Sequence, residues 1–305
     1  EIPTVASTSN SMTIYFYSDG VSNSDGLDLT VALARPNDLS IATITKQDTY
    51  WWNNGTAIDI DYTVKAVNGT TLVKGTDYTE TIKKGGVVVS EGVKDLGDYT
   101  LTINGINSYI GEQTVNFTVA KDICLYGVIS GESGNKTMTL KYDDFNADPA
   151  SAANNEKRKY TPGSNWWNRR DESGIKTIVI DASCQNYQGT SLSKLFYDWR
   201  HVTSITGLEN LNYHNTVTDM SYMFGQCYAL TTFDVSSLNT TSATNMNCMF
   251  YRCSALTTIN FGDGTKFNTS LVTNMNSMFS ECSALTVLDL SPFSTPKLGS
   301  VTSMF

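Results

Sequence analysis

The C-terminal third of the chain repeats one pattern of apolar and polar positions. The octet VTDMSYMF, which ends at Phe224, returns in related form ending at Phe250, at Phe279 and at Phe305. These phenylalanines are 26, 29 and 26 residues apart, and the longer interval has an insertion around Phe261–Phe267, FGDGTKF. A degenerate first copy ends at Phe196. An internal period of this length is typical of repeat proteins, in which each unit buries its apolar face against its neighbours.

Two kinds of secondary structure are predicted within each repeat. Apolar residues recur at offsets 0, 3, 6, 7 and 10, which is the spacing of one face of a helix. In the fourth copy these residues are Val272, Met275, Met278, Phe279 and Cys282. Thr273 and its counterparts are N-cap candidates for this short helix, because a hydroxyl can accept a hydrogen bond from a first-turn N–H group.

The sequence that follows each predicted helix alternates apolar with polar residues, as a short strand does. Leu285, Leu288 and Leu290 show this pattern, which also occurs in the preceding copies. With one parallel strand and one short helix in every unit, the fold predicted for this part of the chain is an α/β solenoid.

The N-terminal half has a different pattern, in which short alternating runs are separated by Gly- and Asp-containing turns. Examples are Thr63–Val67, Tyr99–Ile103 and Thr114–Val119. This pattern is typical of an antiparallel β-sandwich. We therefore predict a multidomain chain with a β-sandwich at residues 41–121 and a solenoid at 122–305, the latter consisting of an N-terminal flank (122–194) and the repeats (195–305). Residues 1–40 form a β-rich leader that either completes the sandwich or ends a preceding module.

The charge of the chain excludes one large class of partner. Lys and Arg total 21 against 30 Asp and Glu, which gives a net charge of −9. Such a chain is repelled by phosphate backbones, so a nucleic acid partner is not expected. The sequence also contains no apolar run of the roughly 18 residues that a membrane-spanning helix needs, so we expect no transmembrane segment.

Candidate reaction chemistry is scarce. The chain has two histidines and none of the common nucleophile, phosphate-binding or zinc-protease motifs. Cys227, Cys253 and Cys282 each lie three residues after a repeat phenylalanine. We interpret them as buried thiols that act as small apolar side chains rather than as metal ligands. No catalytic residue, metal or cofactor is predicted.

Two sets of residues are candidates for ligand binding. The first is the outward column of the predicted solenoid sheet: Thr206, Thr232, Asp234, Thr258, Asn260 and Asp289. A row of this kind can offer many weak contacts to an extended partner, although it can equally be a solvated sheet surface. The second set contains two tryptophan pairs that could stack on sugar rings or simply pack in a core: Trp51 with Trp52, and Trp166 with Trp167.

Several segments resemble known bacterial families. Residues 204–259, SITGLENLNYHNTVTDMSYMFGQCYALTTFDVSSLNTTSATNMNCMFYRCSALTTI, resemble the BspA-type leucine-rich repeat, and Leu125–Phe145 and Ile175–Phe196 resemble the flank that precedes such repeats. Asn68–Ile82 and Leu96–Gly111 resemble bacterial immunoglobulin-like modules. These resemblances imply a leucine-rich-repeat solenoid preceded by an immunoglobulin-like stalk on a surface protein of a mucosa-associated bacterium.

The function implied is non-enzymatic adhesion at the bacterial cell surface or outside the cell, with extracellular-matrix proteins, mucin or other surface macromolecules as partners. One alternative is a carbohydrate-binding accessory protein that uses the tryptophan pairs. Another is a wall hydrolase that uses an acid pair such as Asp143 and Asp144. The sequence stops at the end of a repeat motif with no polar closing unit, so a partly exposed apolar end is also expected.

Overall fold

The computed structural model describes residues 37–52, 55–146, 157–166 and 174–305. The chain divides into two units, Glu1–Ala120 and Lys121–Phe305. The β-like runs predicted before residue 37 lie outside the described residues, so the assignment of the leader 1–40 stays a prediction.

The first unit is built from seven strands among its described residues. They are β1 (Thr43–Lys46), β2 (Thr49–Trp51), β3 (Tyr62–Lys65), β4 (Tyr78–Lys84), β5 (Val87–Val88), β6 (Gly97–Gly105) and β7 (Glu112–Ala120). Five of them form a sheet in the order β2-β7-β6-β4-β5, whereas β1 pairs with β3. All of these pairs are antiparallel except β2 with β7.

The core of the first unit comes from the alternation in β6 and β7. Tyr99, Leu101 and Ile103 of β6 are buried, and so are Phe117 and Val119 of β7, while the residues between them are more exposed. The rings of Tyr99 and Phe117 are stacked with centroids 5.3 Å apart. Period-2 alternation thus marks the buried face of these strands.

A second sheet begins the C-terminal unit. It contains β8 (Ile123–Glu132), β9 (Asn135–Asp144), β10 (Lys157–Lys159), β11 (Ile175–Ile180) and β12 (Ser204–Thr206), in the order β10-β8-β9-β11-β12. β8 and β9 form an antiparallel hairpin, and from β9 onward the pairing becomes parallel. This change to parallel pairing connects the hairpin to the repeats, because β12 belongs to the first repeat and lies in the same sheet.

The repeats themselves are joined by two sets of parallel contacts. β13 (Thr232–Asp234) pairs with β14 (Thr258–Asn260) in parallel. On another side of the repeats, single parallel bridges join equivalent residues of consecutive copies. These residues are Ser191, Asp219, Asn245, Asn274 and Ser300. No strand forms at the predicted Leu285–Leu290 segment.

The helix predicted for each repeat is absent. The helical elements among the described residues are three short 3-10 helices, at Leu39–Ile41, Ala182–Asn186 and Leu208–Asn210. The VTxMxxMF motif instead forms consecutive turns, as Met223 N–H donates to Met220 O and Gly225 N–H to Tyr222 O. The predicted fold class, an α/β solenoid with one helix per repeat, is therefore wrong, and the described structure is almost entirely β-strands and turns.

The turns depend on left-handed backbone at two positions of each repeat. The residue two before the repeat phenylalanine and the residue two after it have φ between 51° and 67° wherever they are described. They are Lys194, Asp198, Tyr222, Gln226, Cys248, Arg252, Ser277, Glu281 and Ser303. None is glycine, and each such residue costs about 1–2 kcal/mol relative to right-handed backbone. A compensating interaction is therefore required.

Hydrogen bonds between consecutive repeats supply that compensation. The N–H of the left-handed Tyr222 donates to Asn247 O, and that of Cys248 donates to Asn276 O at 2.8 Å. The same bond recurs from Lys194 to Ser221 O and from Ser277 to Thr302 O. An α-helix would have turned these N–H groups toward its own carbonyls, so the neighbouring repeat takes the place of the helical partner. Thr273 is likewise no N-cap, since its hydroxyl donates to Thr244 O at 3.1 Å.

The core of the repeats is a stack of equivalent side chains. Successive phenylalanines from Phe196 to Phe305 lie with ring centroids 5.5–6.1 Å apart and with their planes within 21° of parallel. Cys227, Cys253 and Cys282 are buried, as predicted, and each thiol donates to a carbonyl of an earlier phenylalanine at 3.0–3.3 Å. The described residues contain no group of three or more His, Cys, Asp or Glu side chains placed to hold a metal ion.

The extra residues in the 29-residue interval form a loop that leaves the stack intact. Phe267 turns inward and is fully buried, with its ring centroid 4.9 Å from that of Phe261. Gly264 has φ +82° and lies so close to Pro292 that a Cβ would stand 2.6 Å from the proline carbonyl oxygen. The loop thus extends the core locally while Phe250 and Phe279 remain stacked.

Among the residues that the structure describes, no helix has the length and apolar character needed to span a membrane. Phe305 is 71% exposed.

The stack predicts unequal effects of the same substitution at two of its members. Phe250 is fully buried between Phe224 and Phe279. We expect Phe250→Ala to lower the free energy of unfolding by about 3–5 kcal/mol, because the lost burial leaves a cavity that the neighbouring rings cannot fill. Phe305→Ala, at the exposed end, should cost less than about 1 kcal/mol. Urea denaturation followed by circular dichroism measures both, and equal losses would contradict the stacked core.

Candidate binding surface

The outward column predicted from the sequence is exposed. We call its six residues the outer row: Thr206, Thr232, Asp234, Thr258, Asn260 and Asp289. All six side chains face solvent, whereas the intervening Ile205 and Phe233 are buried. The pleat of these short strands accounts for this arrangement, because alternate side chains point to opposite faces.

Four members of the outer row are brought together by strand pairing. Thr232 lies beside Thr258 and Asp234 beside Asn260 in the parallel register of β13 and β14. The Asn260 amide donates to a carboxylate oxygen of Asp234 at 2.9 Å. The structure does not pair the other two members with this group: Thr206 lies in β12, which pairs with β11, and Asp289 is in no strand.

The acidic and amide members of the outer row also shape the backbone. Asp234 accepts a hydrogen bond from Ser236 N–H, Asn260 from Gly262 N–H and Asp289 from Ser291 N–H, at 2.9–3.0 Å. A side-chain oxygen that accepts from the second following N–H closes an Asx turn. These residues therefore fix the bend after each strand segment, which gives their recurrence a structural reason independent of any ligand.

The same contacts lower the pKa of both carboxyl groups. Hydrogen bonds from Ser236, and then from Asn260, lower the pKa of Asp234, and hydrogen bonds from Ser291 lower that of Asp289. Each bond favours the ionised form, because a carboxylate accepts hydrogen bonds more strongly than a neutral acid does. The outer row thus carries two fixed negative charges at neutral pH.

The tryptophan candidates have unequal access to solvent. Trp51 is 48% exposed at the outer strand β2. Trp52 is half-buried and its indole N–H donates to Lys94 O at 2.9 Å. Trp166 is buried against Tyr160 and Trp199, and its indole N–H donates to Leu195 O at 2.8 Å. It therefore packs in the core. Trp167 lies outside the described residues.

The two members of the acid pair considered for a hydrolase, Asp143 and Asp144, lie in different environments. Asp144 is buried and accepts hydrogen bonds from the N–H groups of Asp122 and Asn146. Its neighbour Asp143 is partly exposed and accepts a hydrogen bond from Tyr126. The Asp144 carboxylate therefore stabilises the backbone where β8 begins and β9 ends.

Sequence reasoning did not single out a group of half-buried tyrosines on the repeats. Tyr197, Tyr222, Tyr228 and Tyr251 lie at turn positions close to the repeat phenylalanines, and the Lys194 ammonium lies near the rings of the first two. A signal was available, because these positions differ in chemistry from copy to copy while the core positions do not. The predicted helix would not bring these residues together, because it would distribute them differently around its axis.

Comparison with known proteins identifies one family. Residues 190–305 match the family described as "Mycoplasma protein of unknown function, DUF285". This family is associated with BspA-like surface proteins, which agrees with the resemblance of the repeats. The comparison identifies neither a leucine-rich repeat nor an immunoglobulin-like module, so those finer assignments have no support from it. The chain has no match among curated proteins or solved structures.

The lowered pKa values predict an acid-dependent stability. A carboxyl group with a lower pKa in the folded state contributes stability above its unfolded pKa of about 3.9, and the contribution is lost as the pH falls through the folded value. We expect the urea midpoint of the native chain to fall more steeply between pH 5 and pH 2 than that of Asp234→Asn/Asp289→Asn, in which the Asx-turn acceptors remain but no longer ionise. Parallel pH profiles would show that these hydrogen bonds do not favour the ionised form.

Proposed function

We propose that this chain is a non-enzymatic binding protein of a bacterial cell surface that recognises host or neighbouring-cell macromolecules through its repeats. The observation that carries the proposal is the outer row, in which exposed hydroxyl, amide and carboxylate groups recur at equivalent positions of successive repeats. The match of residues 190–305 to a family associated with BspA-like surface proteins supports the cell-surface location.

The geometry of the row favours an extended partner over a small molecule. Its six exposed members are spread over four repeats, with at most two on any one of them, so no single repeat surrounds a ligand. Each contact is weak, but several contacts on one partner act together because the later ones are effectively intramolecular. Extracellular-matrix proteins and mucin have the length and polarity that such a row requires.

Hydrogen bonds from backbone and side-chain groups hold the polar groups of the row in place before a partner arrives. Asp234 is held by both Ser236 and Asn260, and Asp289 by Ser291. Groups that are already ordered lose less conformational entropy on binding. The role of these residues in the turns and the proposed role in binding are therefore compatible.

Carbohydrate binding through tryptophan is the second candidate, and the exposure of Trp51 favours it. An indole ring that is half exposed can stack on the apolar face of a sugar. In this alternative the binding residue belongs to the N-terminal unit, so substitutions in the repeats leave it intact.

A binding screen with two matched variants tests the proposal. The full chain is assayed by surface plasmon resonance against immobilised extracellular-matrix proteins and mucin. Asp234→Asn/Asp289→Asn keeps the turn acceptors and removes two charges, whereas Glu112→Gln/Glu132→Gln removes two exposed charges outside the repeats. We expect saturable binding that weakens at least about tenfold in the first variant, since a hydrogen bond to a charged group contributes roughly 1.5–3 kcal/mol and one to a neutral group only about 0.5–1.5 kcal/mol. Binding should be unchanged in the second variant.

Other results assign the function differently. Binding that is lost on Trp51→Ala and kept in both charge variants supports the carbohydrate-binding alternative. An absence of binding to every immobilised partner contradicts the proposed recognition of matrix proteins and mucin.

A further inference from the structure

The first three repeats carry a cluster of aromatic and cationic side chains on their turn side. We call Tyr197, Tyr222, Tyr228 and Tyr251, with Lys194, the tyrosine cluster. The rings of Tyr197 and Tyr222 meet edge to face at a centroid distance of 5.7 Å, and Tyr222 meets Tyr251 in the same way at 6.4 Å. All five side chains are half-buried, so part of each remains open to solvent.

The repeats act as controls for one another and show that the fold does not require this cluster. In the fourth repeat the positions equivalent to Tyr222, Tyr251 and Tyr228 are occupied by serine. These serines are Ser277, Ser280 and Ser283. The backbone is nevertheless the same, because Ser277 has the left-handed conformation of Tyr222 and makes the corresponding hydrogen bond to the next repeat. Large aromatic side chains at these positions are therefore not needed for stacking.

The rings are held in defined positions. The amide of Gln226 donates to the Tyr197 hydroxyl, and its carbonyl oxygen accepts from the Tyr228 hydroxyl at 3.1 Å. Gly225 makes room for Tyr197, since a Cβ there would lie 3.1 Å from the ring. The Tyr251 hydroxyl donates to Glu281 at 3.1 Å. A surface organised in this way loses little conformational freedom when a ligand binds.

Among the described residues, two of the three cations at the cluster pair with a carboxylate and Lys194 does not. Arg200 pairs with Asp198 and Arg252 with Glu281, at 2.8 and 2.9 Å. Lys194 makes no ion pair among the described residues; its ammonium lies 5.7 Å from the ring centroid of Tyr197 and 5.9 Å from that of Tyr222. An ammonium flanked by aromatic rings can still bind an anion, because cation–π contacts do not neutralise its charge.

We propose that the tyrosine cluster binds a carboxylated saccharide, the kind of sugar that terminates acidic glycans. The sugar ring packs against the exposed parts of the tyrosine side chains, the carboxylate pairs with Lys194, and the amide of Gln226 and the tyrosine hydroxyls lie beside the sugar hydroxyls. This inference rests on the proposed function, for which it names a ligand class and a second surface. A saccharide suits the cluster better than an acidic peptide does, because the Gln226 amide and the hydroxyls of Tyr197 and Tyr228 lie together within it and can hydrogen-bond to sugar hydroxyls.

A pair of sugars that differ in one acidic unit tests the proposal. The full chain is titrated with 3′-sialyllactose and with lactose while tyrosine and amide signals are followed by NMR. We expect binding of sialyllactose at least about tenfold tighter than that of lactose, because only the former brings a carboxylate to Lys194, and this difference should shrink at high salt. Equal affinities, or no binding of sialyllactose, would overturn the proposal.

The fourth repeat supplies the matched variants. Tyr222→Ser, Tyr251→Ser and Tyr228→Ser introduce residues that the chain itself carries at the equivalent positions, so the fold should be retained. Each of these three substitutions should weaken sialyllactose binding. Lys194→Gln should abolish the preference for sialyllactose over lactose, whereas Lys194→Arg, which keeps a positive charge, should retain that preference. Ser283→Ala is the control at the same turn position and should have no effect. A Lys194→Gln variant with unchanged preference contradicts the assignment.

Two further outcomes are informative: the first separates this inference from the proposed function, and the second tests whether the ligand is a saccharide. If the chain binds matrix proteins or mucin through the outer row but does not bind sialyllactose, the cluster assignment is wrong and the proposed function stands. If a poly-glutamate peptide competes with sialyllactose as strongly as free sialic acid does, the cluster is a general anion site and the saccharide assignment is overturned.

Discussion

The exchange of backbone hydrogen bonds between consecutive repeats is the interaction on which the C-terminal unit depends. N–H groups at alternate positions of one turn segment donate to carbonyls of the next repeat, as Met220, Tyr222 and Phe224 do. These bonds hold non-glycine residues in left-handed backbone that would otherwise be unfavourable. No single repeat can satisfy these groups alone, so local conformation and stacking form together.

The side chains of the core follow from this backbone. Because each repeat is set in register by its neighbour, equivalent residues meet themselves along the stack, and the phenylalanine rings lie nearly parallel. The cysteines are explained in the same way. Their side chains face the backbone of an earlier repeat, where a small side chain is needed, and each thiol also donates a hydrogen bond to a carbonyl there. Serine would fill a similar space at a greater cost of burial.

The buried positions of the repeats could be predicted from the sequence, but their secondary structure could not. Val217, Met220, Met223, Phe224 and Cys227 are all buried, as their recurrence indicates. Their spacing fits a helix face and a run of turns equally well. The residues that decide between the two, such as Tyr222 and Gln226, carry none of the glycine or asparagine signal of left-handed backbone. Their hydrogen-bond partners lie more than twenty residues away, beyond any local pattern.

The loop in the 29-residue interval shows how such a chain can change over evolutionary time. Its additional residues project between Phe261 and Phe267, while the rings on either side keep the spacing found elsewhere. Insertions at this bend therefore need not disturb registration between neighbouring copies. The length of this loop and the stacking of the repeats are thus separable properties, so the surface at this bend can be altered while the core keeps its geometry.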